Sequence, residues 1–335
     1  MHAVEMSLTV IVVLVLLALA FDFMNGFHDA ANSIATIVST RVLKPHQAVV
    51  WAAVFNVVAY FIFGLSVAAT VGKGTIDPGV VDHYVVFGAL IGAIVWNIIT
   101  WYYGIPSSSS HALIGGLVGA AVAKGGMGTL IWGGLGKTVL FIIVSPVLGF
   151  LLGGLLMVSI SWLCNSMAPR KVDKVFRRLQ LISAAAYSIG HGGNDAQKTI
   201  GIIWMLLLAA GVTLPGESVP IWVMAACYTS MGLGTMFGGW RIVRTMGQRI
   251  TKLNQAKGFS ANMGGAITLF MSTLLGIPVS TTHTITGAIA GVGSTGGPKN
   301  VRWGVAGGIA WAWVLTIPAS ALIAAIAWWL GRFLL

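Results

Sequence analysis

The chain has 335 residues, 57% of them hydrophobic and only 8% charged, where soluble domains carry about 25% charged residues. That balance excludes an ordinary soluble protein and predicts a polytopic, all-α integral membrane protein. The net charge of +11 sits in short segments rather than over one face, which excludes a nucleic-acid partner. The two cysteines, Cys164 and Cys227, suggest no disulfide or metal pattern.

Residues 6–21 resemble the apolar core of a signal peptide, but no Lys or Arg precedes Arg41. The positive flank such a signal needs is missing, so the segment is read as a retained first helix. Uncharged stretches follow at 45–72, 83–123, 138–169, 258–298 and 303–331, each longer than the roughly 20 residues that cross a bilayer. Apolar segments at about 180–211 and 219–238 add two further crossings.

Basic residues cluster at Arg170, Lys171, Lys174, Arg177 and Arg178, and again at Arg241, Arg244, Arg249, Lys252 and Lys257. Short basic loops stay cytoplasmic. Arg41 and Lys44 mark the inside after the first span, whereas Lys73 shares its loop with Asp77 and Asp82. The first half therefore starts outside and the second starts inside, with both chain ends external.

Internal similarity supports that opposition. Gly104-Ile-Pro-Ser-Ser-Ser-Ser-His-Ala-Leu-Ile-Gly115 matches Gly276-Ile-Pro-Val-Ser-Thr-Thr-His-Thr-Ile-Thr-Gly287, and the same offset pairs Gly119 with Gly291 and Pro146 with Pro318. Gly26-Phe-His-Asp29 likewise pairs with Gly192-Gly-Asn-Asp195. Two polar motifs in the same order predict two inverted repeats, residues 1–167 and 179–335, joined by a short basic linker at 168–178. Such an arrangement places the site at the repeat interface near the midplane.

Each repeat holds a carboxylate inside an apolar span, Asp29 in one and Asp195 in the other. Buried intramembrane charges are costly and mark ion or substrate paths. Gly26, Gly190, Gly192 and Gly193 are expected to break their helices and free carbonyls for cations. The competing reading of Asp195 and Lys198 is a structural i,i+3 pair. Asp22 has no carboxylate counterpart in the second half and is placed outside the site.

Pro106 and Pro278 interrupt helices, and the polar residues after them suit new helix starts. A helix beginning inside the membrane turns its N–H groups and positive dipole end into the cavity, which makes an anion site. Ser107, Ser108, Ser109 and Ser110 face Val279, Ser280, Thr281 and Thr282 in the paired motif. His28, His111, His191 and His283 belong to the same motifs, whereas His2, His46 and His83 read as loop or interface residues. Tryptophans such as Trp328 and Trp329 read as an interfacial belt. No Gly-x-x-x-x-Gly-Lys-Ser/Thr segment occurs, so nucleotide drive is not expected.

At these residues the sequence resembles the inorganic phosphate transporter (Pit) family of bacterial low-affinity permeases. The resemblance rests on Asn25-Gly-Phe-His-Asp-Ala-Ala-Asn32, Trp96–His111, His191–Lys198 and Gly276–His283, and covers nearly the whole chain. It implies a homodimeric secondary transporter of the plasma (inner) membrane, without cofactor, carrying phosphate with H+ or Na+. The same resemblance makes Asp29, Asn32, Asn194 and Asp195 its broken-helix motifs and 107–110 with 280–282 its substrate loops. Sodium, as the coupling ion, would lie at Asp29, Asn32, Asn194 and Asp195; a proton would use Asp29 and His28. Lys198 stands where the wider pattern has Asn, and a fixed ammonium beside Asp195 favours protons over sodium. The alternatives are a sulfate permease of the same family and, from another class, an intramembrane hydrolase using a Ser, a His and an Asp.

Overall fold

The computed structural model describes residues 6–214 and 216–334; His2 lies outside them. Twelve α-helices occur among the described residues: α1 Leu8–Ser39, α2 Pro45–Val58, α3 Ser66–Gly74, α4 His83–Tyr103, α5 Ser109–Gly125, α6 Trp132–Leu163, α7 Pro169–Ala209, α8 Ile221–Phe237, α9 Trp240–Arg244, α10 Gln255–Leu274, α11 Thr281–Ser294 and α12 Trp303–Leu334. Helices α1, α4, α6 and α12 are long and apolar enough to cross a membrane one by one. Helices α2 and α3 form a span broken by an 82° bend.

At one end Arg177 donates to the carbonyl of Arg41, Thr40 donates to Gln180, and the Arg302 amide bonds the carbonyl of Ile250. The basic segments thus gather there. At the other end Lys124 pairs with Asp82 at 2.7 Å and Ile76 bridges Leu130. Helices α4 and α5 form a hairpin entering from this second end, and α10 with α11 forms one entering from the basic end.

Both hairpin tips are made the same way. Gly104 and Gly276 end α4 and α10 with φ of 67° and 68°, a left-handed turn that residues with a Cβ rarely adopt. The next amides, of Ile105 and Ile277, reach back to Thr100 and Ser272 at 2.8 Å. Ser108 and Ser280 then cap α5 and α11, each accepting from the amide of the following histidine at 3.2 Å. With 17 and 14 residues, α5 and α11 reach about 26 Å and 21 Å, short of the roughly 30 Å hydrocarbon core.

The halves interlock. Helix α6 packs on α10 and α11, whereas α12 packs on α4 and α5; α1 lies along α8, and α7 along α2 and α3. The carbonyl of Gly276 accepts from Thr70 of α3 and that of Gly104 from Thr245, just after α9. Helix α3 thus supports the α10–α11 tip, and the segment just after α9 supports the α4–α5 tip. The outward faces of α6 and α12 are apolar, with Leu140, Ile143, Leu151, Val314 and Leu322 exposed, as lipid contact requires.

Three sequence expectations change. Helices α1 and α7 run unbroken through the aspartate motifs; the glycines there permit close packing instead, Gly26 meeting the backbone of Met231, Gly192 that of Asn56 and Gly193 the ring of Phe63. Contact between helices in lipid depends on such small residues. Of the expected linker 168–178, residues 169–178 form the first turns of α7, whose 41 residues extend about 60 Å, twice the bilayer core. Of the tryptophan pair only Trp329 is exposed, while Trp328 is buried against Gly88 of α4.

Candidate functional site

The helix starts of α5 and α11 meet at the centre, where the rings of His111 and His283 lie 4.6 Å apart and His283 stacks on Trp313. Beside them run α1 and α7. Asp29, His28, Asn32, His191, Asn194, Asp195 and Lys198 are each no more than 2% exposed, and Ser107 to Ser110 and Ser280 to Thr282 no more than 3%. All of the sequence-derived candidates are therefore buried along one seam between the halves.

On α1, His28 Nδ1 lies 2.6 Å from Asp29 Oδ1, and its Nε2 lies 3.0 Å from Thr100 of α4. Ser107 donates to the same Thr100 hydroxyl. Asn32 donates to Thr281 and Thr282 at 3.2 and 2.9 Å, which ties α1 to the first turn of α11. On α7, Asp195 accepts from Thr281 at 3.0 Å and stands 3.3 Å from His191 Nε2. Lys198 Nζ reaches Asp195 and Ser110 at 2.5 Å each and the carbonyl of Val279 at 2.7 Å. The ammonium thus points into the seam and joins both helix starts.

Asn32 and Lys198 occupy matching places. They stand three residues after Asp29 and Asp195, and each crosses to the hydroxyls opening the other half's short helix, Thr281–Thr282 for Asn32 and Ser110 for Lys198. One half thus presents a neutral amide where the other presents a cation. Asn194 instead turns to the α10–α11 tip, donating to Thr273 and to the Ile277 carbonyl and accepting from the Val279 amide.

Ligand atoms of Asp29, His191 and Asp195 lie within 4.8 Å of one another. Two carboxylates and an imidazole at that separation suit a proton or small cation. Of the four residues expected to hold sodium, Asp29 and Asp195 belong to this group, whereas Asn32 bonds to Thr281 and Thr282 and Asn194 to the α10–α11 tip. Ser109 Oγ and Asn32 Oδ1 are buried without a partner among the described residues, leaving hydrogen-bonding capacity at the two helix starts.

The sequence reading did not single out Thr100, Asn56 or Tyr187. The Thr100 hydroxyl accepts from Ser107 and lies 3.0 Å from His28 Nε2, Asn56 lies 3.2 Å from His191 Nδ1, and Tyr187 donates to the Thr281 carbonyl at 2.8 Å. Each lies in a largely apolar run, and that setting was the available signal. His46 and His83 sit in the first turns of α2 and α4, away from the seam.

Residues 25–324 match the phosphate transporter family. The chain belongs to that family. It is 60% identical over 321 residues to a probable low-affinity inorganic phosphate transporter of Rhizobium meliloti (strain 1021), covering 96% of each chain. A protein of the same name in Bacillus subtilis (strain 168) is 45% identical over 97% of this chain and 98% of its own. Among solved structures, that of a protein named the sodium-dependent phosphate transporter superposes with a TM-score of 0.90 at 26% identity, covering 98% of this chain and all of that one. The family and these relatives are transporters, so the hydrolase reading falls, and the chain is a membrane protein.

Proposed function

We propose that this chain imports inorganic phosphate by cation-coupled symport across the plasma membrane, as a homodimer of two-repeat protomers, with protons preferred to sodium. The observation that carries the reading is the meeting of two capped helix starts, duplicated in sequence, beside Asp29, Asp195 and Lys198 in a buried seam. Helix N-termini and hydroxyls suit an oxyanion, and an unpartnered Ser109 hydroxyl adds a donor. The opposite entry of the two hairpins and the exchange of α6 and α12 between halves support the inverted repeats, residues 1–167 and 179–335.

In this reading Ser107–Ser110, Ser280, Thr281, Thr282, Asn32 and Asn194 hold or frame phosphate, and Asp29, Asp195, His28 and Lys198 manage the coupling charge. Two unit charges of like sign 4 Å apart repel by about 4 kcal/mol at an effective dielectric constant near 20. A carboxylate beside the dianion must therefore be neutralised before the anion settles, and only the loaded site crosses. Hydrogen phosphate retains a proton that it can donate to a carboxylate, which sulfate lacks, so two carboxylates at the site favour phosphate.

Lys198 supports protons. Its ammonium already lies on the oxygens of Asp195, Ser110 and Val279, which a sodium ion would otherwise use, and a tethered cation cannot leave with each cycle. The sodium dependence that names the structural neighbour belongs to that protein.

The test is uptake of labelled phosphate into proteoliposomes at fixed membrane potential, first with choline replacing sodium, then with the pH gradient collapsed, and with sulfate as competitor. Uptake should survive choline, fail without the pH gradient and resist sulfate. Loss in choline with indifference to pH would reverse the ion assignment. Lys198→Asn should gain sodium dependence or lose activity; unchanged proton-driven uptake would make Lys198 a structural residue.

A further inference from the structure

A second polar rung crosses the α1–α7 interface outside the site described above. Asp22 of α1 is fully buried and accepts one hydrogen bond, at 2.8 Å from Thr199 of α7 on Oδ1. Its other oxygen, Oδ2, is buried without a partner, as is Oδ1 of Asn25, which is itself 2% exposed. Among the described residues no Lys, Arg or His pairs with Asp22, whereas Asp195 has Lys198 and Asp29 has His28. Asp22 is the buried carboxyl that the transport site leaves unused.

Its position relates it to that site. Asp22, Asn25, Asp29 and Asn32 follow an i, i+3, i+7, i+10 pattern and share one face of α1. Asp22 lies about 10 Å along the axis from Asp29, toward the helix end that the charge pattern places outside. Asn25 stands between them. The groups around it on the packed helices are Asp195 of α7, which shares its electrostatic field, and Tyr228 and Cys227 of α8; α4 brings no titratable residue in its buried stretch from Val85 to Thr100.

An isolated carboxylate with one hydroxyl donor is costly so far from water. Protonation removes the charge and makes Oδ2, which has no partner among the described residues, a hydroxyl. A dissociable sodium ion would find a single carboxylate and neutral oxygens, poorer than the central cluster of two carboxylates. We propose that Asp22 is a second proton site of the transport cycle, the outer of two along α1, loading from the external water before Asp29. In each turn an O–H bond of a hydronium ion on the external side breaks as the carboxyl O–H of Asp22 forms, leaving water; on the cytoplasmic side that carboxyl O–H breaks and the proton returns to water as hydronium.

The proposal rests on the proton-coupled reading, and its test separates the two. Wild-type proteoliposomes are first assayed with choline for sodium and with the pH gradient collapsed; sodium drive there defeats the parent reading before any variant is compared. The steady accumulation ratio of labelled phosphate is then measured at zero membrane potential and a gradient of one pH unit, in wild type and Asp22→Asn. Loss of one coupled proton should lower that ratio about tenfold, since one pH unit is worth about 1.36 kcal/mol per proton. Phosphate binding to the detergent-solubilised variant should stay within about threefold of wild type. An unchanged ratio overturns the proposal, and so does loss of phosphate binding, which would make Asp22 part of the anion site or a structural residue. Thr199→Val keeps the carboxyl and removes its donor, so the pH of half-maximal uptake should move upward; an unmoved pH profile in this variant also overturns the proposal.

Discussion

Breaking the Asp195–Lys198 pair one partner at a time should cost more than removing both. In Lys198→Met, Asp195 keeps Thr281 at 3.0 Å and the edge of His191 at 3.3 Å, but loses its counter-charge. In Asp195→Asn the ammonium keeps only neutral oxygens of Ser110 and Val279. Removing one partner of a buried pair costs about 3–5 kcal/mol, so the single variants together come to about 6–10 kcal/mol. The double variant Asp195→Asn/Lys198→Met strands no charge. Its loss is confined to hydrogen bonds worth about 1–3 kcal/mol each where an acceptor is left bare, so it should be destabilised by about 2–4 kcal/mol.

The coupling energy from this cycle is therefore expected to be at least about 2 kcal/mol. Reversible unfolding in mixed detergent micelles, followed by helical circular dichroism, measures it without any assumption about transport. Independent sites add within about 0.5 kcal/mol. Additivity to that degree would refute a buried, charge-bearing contact between Asp195 and Lys198, and with it the idea that the ammonium fills a cation position.

Asp29→Asn and Asp195→Asn should each abolish concentrative phosphate uptake while the protein remains inserted, measured with membrane yield as control; normal uptake in either moves the coupling site elsewhere. Ser109→Ala and Thr281→Ala should weaken phosphate binding by about 1–3 kcal/mol each, a loss of roughly 5- to 150-fold in Kd at about 1.4 kcal/mol per decade; calorimetric titration at constant pH checks this. Cysteines placed singly at Lys174 and Glu217 should label from opposite sides of the membrane, and labelling of both from one side would sink the opposed orientation of the halves.

The two helix starts at the candidate site were legible because two independent constraints are written locally. A Gly-Ile-Pro stop followed by hydroxyl residues dictates a turn and a new helix start, and its duplication brings α5 and α11 to one point. The glycine-rich aspartate motifs misled for a physical reason. Glycine destabilises a helix by only about 1 kcal/mol relative to alanine, and in lipid the gain from close backbone contact outweighs that loss. Gly26 and Gly192 press on neighbouring backbones within unbroken helices, so the same residues that permit a break here serve packing. The reach of Lys198 to Ser110, and the exchange of α6 and α12 between hairpins, join residues far apart in the chain and leave no local spacing to read.

The asymmetry between Asn32 and Lys198 has a consequence in charge. With Asn at both places, Asp29 and Asp195 would give the seam two negative charges and call for two mobile cations before a dianion could enter. Lys198, 2.5 Å from Asp195, offsets one of them with a tethered charge. What remains is a single carboxylate, Asp29, whose close partner among the described residues is His28 at 2.6 Å. One proton on that pair neutralises the centre. On the proton-coupled reading the central site therefore takes one mobile charge per cycle, and any second proton must be held elsewhere along the same helix, where Asp22 is the remaining buried carboxyl.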